Sequence, residues 1–215
     1  STVEEVKELF HQVLDMMDTI YGVNYKVPIS LETTDAKTVA KKAGMLFKPS
    51  TDFAQRVLGF AKYDKGKYSL VLENGSPKLA AIDTMVHELT HIWQYINWKE
   101  SQVSSIYQMP NKQCPDKESC DRIASLILYE GMAVWASVQY LYQIGEMTYA
   151  AQQEAYSEYR QDVYGIGFRL YKEKYPFVKD GSVVKYTPFL EFPTIEPEDV
   201  INEIRKRCTN KEFNC

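Results

Sequence analysis

One short pattern restricts what this chain can fold into more than any other, the HExxH sequence His87-Glu88-Leu89-Thr90-His91. On a helix, residues four apart lie one turn above each other, so the two imidazoles can reach a single ion. Glu88 stands beside the first imidazole, where its carboxylate can polarise a water on that ion without binding the ion itself. Zinc suits such a site because it accepts nitrogen and oxygen ligands and retains an open position. The alternative is a helix whose two histidines pack or face solvent without a metal.

Apolar residues repeat around this pattern with the period of a helix. That helix is predicted to begin at about Pro77 or Lys78 and to end at Asn97. The repeating positions are Ile82, Met85, Val86, Leu89, Ile92, Trp93 and Ile96. The third histidine, His11, falls in a separate predicted helix over residues 2–21 and is more typical of a surface or packing residue than of a ligand.

A second long helix is predicted from about Asp121 to Ile144, and Glu130 stands in a densely apolar run within it. A carboxylate is costly there unless it is paired or binds a metal, and Gly131 removes a side chain where another helix could approach closely. We therefore expect Glu130 to be the third zinc ligand of a His₂Glu site with water as the fourth. A salt bridge from Glu130 to an arginine is the alternative. Three glutamates in more polar surroundings are weaker candidates: Glu100, Glu118 and Glu146.

The rest of the chain predicts more helix than strand. Residues 25–31 alternate like an edge or irregular strand that contains a proline, and residues 56–73 predict a β-hairpin with its turn at 64–66. Either hairpin strand could hold an extended peptide through backbone hydrogen bonds, unless the hairpin is purely structural. Further predicted segments are a long loop over 99–119, one or two helices over 149–175 interrupted at 164–169, and a last helix from Pro197 to about Arg207.

Length and composition favour one domain that spans residues 1–215. A hydrophobic content of 45% and a charged content of 25% are ordinary for a globular protein. The net charge of −4 gives no electrostatic reason to expect nucleic acid or an anionic membrane as a partner. No apolar run approaches the roughly 20 residues that span a bilayer. Peptide or protein is thus the expected partner, and the sequence leaves the oligomeric state open.

Four cysteines stand in polar segments, at positions 114, 120, 208 and 215. None has the CxxC spacing of a zinc finger, and pairing in sequential order requires the fewest assumptions. Such disulfides favour an oxidising compartment, so the protein is expected to be secreted or periplasmic. Free thiols in a cytoplasmic protein are the alternative.

These motifs resemble a known family of enzymes. HExxH with a downstream glutamate is similar to the gluzincin class of zinc metallopeptidases. A closer resemblance is to the peptidase domain of the plant LIM-domain, ubiquitin-activated peptidases that regulate organ size. Four motifs of that family occur here in the same order: Pro77-Lys78-Leu79, His87 to Trp93, Glu130-Gly131, and Tyr164-Gly165-Ile166-Gly167-Phe168-Arg169. They span roughly residues 70–170, and the family's LIM fingers and ubiquitin-interacting helices have no counterpart in this sequence.

The resemblance implies that His87, His91 and Glu130 bind zinc and that Glu88 is the general base. It also implies a zincin-like α+β fold. We expect a small antiparallel or mixed sheet, an HExxH helix, a glutamate-bearing second helix and a mostly helical C-terminal half. The expected reaction is hydrolysis of peptide bonds, with Tyr164 as donor to the oxyanion and Arg169 positioning that element. The alternatives are an inactive, zinc-stabilised binding module and a DNA-associated HExxH protease of the SprT kind.

Overall fold

The computed structural model describes residues 3–44, 58–108 and 117–209. Their helices and strands divide between two compact units, residues 1–93 and 94–215. The predicted α+β fold with a small mixed sheet and a mostly helical C-terminal half is confirmed. The single domain expected from length stays a prediction. In the described ranges, no helix is both long and apolar enough to cross a bilayer.

The described part of the first unit contains three strands and three helices. Their bounds are α1 (Val3–Tyr21), β1 (Ile29–Thr34), α2 (Ala36–Lys42), β2 (Gly59–Asp64), β3 (Lys67–Glu73) and α3 (Lys78–Asn97), whose last turn belongs to the second unit. The apolar stripe predicted for α1 is buried, from Val6 through Phe10, Val13 and Met17 to Ile20. A stripe with this spacing needs a neighbour to cover it, and α1 contacts β1.

The sheet has the order β1-β3-β2, with β1 parallel and β2 antiparallel to β3. Leu70, Val71 and Leu72 of the central strand are almost completely buried, as expected for a strand paired on both sides. The predicted hairpin is therefore β2 and β3, except that residues 56–57 lie outside the described ranges. Its turn places Gly66 at a φ of +83°, which glycine adopts without strain.

The strand predicted over residues 25–31 begins four residues later and ends three residues later, since β1 runs from Ile29 to Thr34. Pro28 cannot donate to a ladder, so pairing with β3 begins after it. Tyr25 lies before the strand and donates its hydroxyl to the carbonyl of Leu89 in α3, at 2.5 Å.

The second unit is helical, with α4 (Glu100–Ile106), α5 (Lys117–Gln143), α6 (Met147–Tyr159), α7 (Val163–Lys174), a short 3₁₀ turn (Pro188–Leu190) and α8 (Pro197–Thr209). The long loop predicted over 99–119 was wrong for α4 and for the first turn of α5. Val103 and Tyr107 are buried one turn apart. Two apolar positions are too few to establish a helical period in the sequence. Residues 109–116 lie outside the described ranges.

The interruption predicted at residues 164–169 lies instead at 160–162, between α6 and α7. Asp162 caps α7 by accepting a hydrogen bond from the backbone N–H of Gly165, at 3.2 Å. Of the cysteines, only Cys120 has a described side chain, and it is buried in α5. The disulfide pairing and the compartment therefore stay predictions.

Candidate functional site

Helix α3 brings the two histidines of the HExxH pattern together. Their Nε2 atoms are 3.1 Å apart, and the rings meet edge to face with centroids 4.8 Å apart. His91 is 7% exposed and His87 is half-buried. Two nitrogens each about 2.1 Å from one tetrahedral zinc would be about 3.4 Å apart, so the observed pair fits a shared ion. Without a metal, the same distance suits a hydrogen bond in which one ring donates to the other.

Glu130 of α5 completes a group that could hold a metal ion. His87, His91 and Glu130 each offer one ligand atom, and these atoms all lie within 4.8 Å of one another. Two imidazole nitrogens and one carboxylate oxygen form a donor set that suits zinc and leaves a fourth position open. The weaker candidates Glu100, Glu118 and Glu146 are exposed, as is His11 in α1. Within the described part of the chain, none of these four joins the histidine pair in such a group.

The carboxylate of Glu88 is directed towards strand β2. Its Oε2 accepts a hydrogen bond from the backbone N–H of Ala61 in β2, at 2.8 Å. In the β2–β3 ladder, Leu58 accepts from Glu73, so the N–H groups of residues 59, 61 and 63 face the free edge of β2 by alternation. The carboxylate is therefore held at a fixed place along that edge.

A glycine in β2 permits this approach. A Cβ built on Gly59 would lie 2.9 Å from the methyl group of Thr84 in α3 and 2.7 Å from the carbonyl of Val71. Thr84 precedes Glu88 by one helical turn, and Gly59 precedes Ala61 by two strand positions. Both separations are about 6–7 Å. The strand and the helix therefore advance by the same distance between the two contacts, so the contact of Gly59 with Thr84 helps to place Ala61 beside Glu88.

Among the described strands, β3 is paired on both sides while β2 has one free edge. Of the two hairpin strands that could have held an extended peptide, β2 is thus the one with backbone groups available. That edge carries the donor bonded to Glu88, so the HExxH carboxylate lies beside a strand edge of the kind that can hold an extended peptide.

The Glu130-Gly131 pair meets the glycine-rich segment of α7. A Cβ built on Gly131 would lie 2.5 Å from Cα of Gly167, and one built on Gly167 would meet the carbonyl of Ile127 and lie 2.6 Å from Cα of Gly131. The two helices therefore touch backbone to backbone, as expected from Gly131. This contact lies one residue from Glu130 and fixes that part of α5.

Tyr164 is half-buried in the first turn of α7, three residues before Gly167. The guanidinium of Arg160 lies over its ring, 4.4 Å from the centroid. Arg169 donates to the carbonyls of Glu158 and Arg160, at 2.8 and 2.7 Å, and so ties α7 to the end of α6. The role of Tyr164 as oxyanion donor stays a prediction.

Two contacts of the site have no counterpart in the sequence analysis. The Ala61 N–H is a backbone donor, so no residue type marks it. Gln94 is fully buried three residues after His91, and its amide donates to the carbonyl of Tyr129 at 3.0 Å. A glutamine within an apolar helical stripe was a signal that could have revealed this link between the C-terminal end of α3 and the residue before Glu130.

Comparison of the chain with protein-family models, curated proteins and solved structures finds no match in any of the three.

Proposed function

We propose that the chain is a zinc-dependent peptidase of the gluzincin kind with a zincin-like fold. The observation that carries this proposal is the group of His87, His91 and Glu130, beside a glutamate held by an edge strand. The donor set, the 3.1 Å between the imidazole nitrogens and the open fourth position support zinc. When bound, zinc would supply a Lewis acid that polarises both water and the scissile carbonyl.

Within this proposal, Glu88 accepts the proton of the attacking water and later delivers it to the leaving amine. A general base must be positioned before its basicity matters, and the hydrogen bond from Ala61 restricts the carboxylate to one orientation. The substrate backbone would align along the free edge of β2, where main-chain hydrogen bonds bind any extended peptide irrespective of its side chains.

Tyr164 remains our candidate for a donor to the carbonyl oxygen as it gains negative charge. It lies three residues before Gly167, and Glu130 lies one residue before Gly131, so both are within a helical turn of the α5–α7 glycine contact. Arg169 and Arg160 hold the start of α7 through the contacts described above.

The test replaces one carboxylate by its amide. Glu88→Gln should bind about one zinc per chain, as the unmodified protein does, because Glu88 is not a ligand, while its cleavage of a peptide library should fall at least about a hundredfold. The amide oxygen can still accept from Ala61, so folding should be unaffected. Glu118→Gln, which changes an exposed glutamate on α5, is the matched control and should retain both zinc and cleavage.

Metal content and cleavage products, measured on the same preparations, separate the alternatives. Undiminished turnover by Glu88→Gln would refute its role as general base. One bound zinc without cleavage by the unmodified protein would support the binding module instead, and absence of zinc would refute the metal site itself.

A further inference from the structure

Four aromatic side chains of the second unit form a continuous cluster, here called the aromatic wall: Tyr95 of α3, Trp98 directly after α3, Tyr129 of α5 and Phe192. The ring centroids of Tyr95 and Tyr129 are 6.1 Å apart, those of Trp98 and Tyr129 5.3 Å, and those of Trp98 and Phe192 5.4 Å. Each separation falls in the range in which aromatic rings attract one another.

Two members of the aromatic wall lie close in sequence to the proposed metal ligands. Tyr95 follows His91 by four residues on α3, which is about one turn, or 6 Å, along the same face. Tyr95 also follows Glu88 by seven residues, or about two turns, so the two side chains leave the helix in nearly the same direction. Tyr129 immediately precedes Glu130 on α5. Tyr95 and Tyr129 therefore lie on the two helices that carry the proposed ligands.

The wall is rigid. Trp98 is 6% exposed, and buried Gln94 bonds to the carbonyl of Tyr129. The segment that carries Phe192 is tied down by three buried tyrosine hydroxyls. Tyr107 donates to the carbonyl of Ile195 at 2.6 Å, Tyr175 donates to the carbonyl of Thr194 at 2.9 Å, and Tyr171 bonds to the Thr194 hydroxyl at 2.6 Å.

Tyr95 presents this rigid cluster to solvent. It is 54% exposed, and its neighbour Ile96 is 40% exposed. An aromatic surface that is held in place loses little conformational entropy on contact and favours apolar side chains over charged ones.

We propose that the aromatic wall determines the substrate specificity of the peptidase site by binding a bulky apolar side chain, aromatic or long aliphatic, of the substrate. Tyr95 of the wall lies about one helical turn from His91, and an extended peptide advances about 3.3 Å per residue. We therefore assign the wall to a substrate residue within about three positions of the scissile bond. The inference rests on the proposed peptidase function and adds the class of substrate to it.

The test compares Tyr95→Ala with Tyr95→Phe, which keeps the ring, and with Tyr159→Ala, which removes an 82% exposed tyrosine from α6. Cleavage of a peptide library by each protein, followed by mass spectrometry, gives the preferences around the cut. Binding is measured separately in the zinc-loaded Glu88→Gln background, by fluorescence anisotropy of two fluorescein-labelled Gly/Ser-based peptides. The two peptides differ only in a central Phe or Ala.

We expect the unmodified protein, Tyr95→Phe and Tyr159→Ala to prefer bulky apolar residues at one position near the cut. Tyr95→Ala should lose about three- to tenfold of that preference and of the Phe-over-Ala binding ratio. An unchanged preference in Tyr95→Ala, or no preference for Phe in any protein, would overturn the inference while leaving the peptidase function standing. If no protein cleaves, the function fails, and the anisotropy ratio still decides whether the wall binds apolar side chains.

Discussion

At the scale of single residues, the hydrogen bond from the Ala61 N–H to Glu88 is the most informative contact of the site. A hydrogen bond to a charged group contributes about 1.5–3 kcal/mol, more than a neutral bond of the same length. The donor faces the free edge of β2, so it is not part of the ladder with β3. It can therefore be removed without breaking strand pairing.

Proline at position 61 removes that donor alone, because proline lacks an N–H and is tolerated on edge strands. On the proposed function, Ala61→Pro should lower kcat about tenfold or more with unchanged zinc content, since the orientation of Glu88 is lost while the proposed ligands are untouched. Steady-state kinetics and metal analysis measure both quantities. Tyr63→Pro removes another edge N–H of β2, one available to the substrate, and should raise KM while leaving kcat within about twofold; an equal loss of kcat in both variants would show that the strand, and not the bond, matters.

At the scale of elements, the contact between Gly131 and Gly167 explains two of the motifs that first suggested the site. Both glycines are required because α5 and α7 meet with no room for a Cβ. The contact lies in the same turn as Glu130, so the packing of two helices sets the position of a proposed ligand. The glycines of these two motifs are therefore explained by helix packing, even though the motifs were first noted for their proposed chemistry.

Gly131→Ala would force a methyl group to within 2.5 Å of the backbone of Gly167. Neither backbone can yield without separating the helices, so we expect a loss of about 2–4 kcal/mol in the free energy of unfolding, together with weaker zinc binding. Urea denaturation of the metal-free protein measures the first effect. Gly22→Ala, at a φ of +65° but with nothing within 4 Å of its Cβ, should cost only about 1 kcal/mol; a comparable loss at both positions would argue against close packing at Gly131.

Long elements with strong periodicity could be predicted from the sequence, and short ones could not. The apolar stripes of α1, α3 and α5 extend over several turns, so α3 was predicted within a residue at its start and correctly at its end. Helix α4 has only two turns and one fully buried residue, too few to show a period. Likewise, the sequence marks His87, His91 and Glu130 as chemically unusual side chains, while the Ala61 N–H is set by strand register, which depends on pairing between distant residues.

At the scale of the whole molecule, one ion network joins four segments of the second unit. Glu154 of α6 bonds to the hydroxyl of Tyr142 in α5, to Lys172 of α7 at 3.0 Å and to Lys179 at 2.7 Å. Burial alone would raise the pKa of this carboxyl group, but the hydrogen bonds from Lys179, Tyr142 and Lys172 outweigh it and lower the pKa from 4.5 to about 2. The carboxylate form is thus favoured by folding.

A carboxyl group whose pKa is lowered by folding contributes stability above its unfolded pKa and loses it as the pH falls towards its folded pKa. A lowering from 4.5 to about 2 corresponds to at most about 3 kcal/mol, of which solvent screening leaves about 1–2 kcal/mol. The second unit should therefore lose stability between about pH 4.5 and pH 2. Glu154→Gln should destabilise at pH 7 and flatten the pH dependence of the melting temperature over that window.

Thermal melts of the metal-free protein at several pH values between 2 and 7 test this expectation. Glu146→Gln, an exposed glutamate at the start of the same helix, should behave as the unmodified protein does. A Glu154→Gln melting curve parallel to that of the unmodified protein at every pH would contradict the assigned role of the network.

Within the described ranges, the side of β2 that faces away from β3 has no strand partner, which matters for behaviour in concentrated solution. An open strand edge is a template on which identical chains can aggregate, and proteins discourage this with short strands and charged side chains. Here β2 has six residues, carries exposed Lys62 and Asp64, and has its middle donor occupied by Glu88. Self-association through this edge would have to displace a carboxylate and bring the charged side chains of two copies together, which disfavours the growth of fibres from this strand.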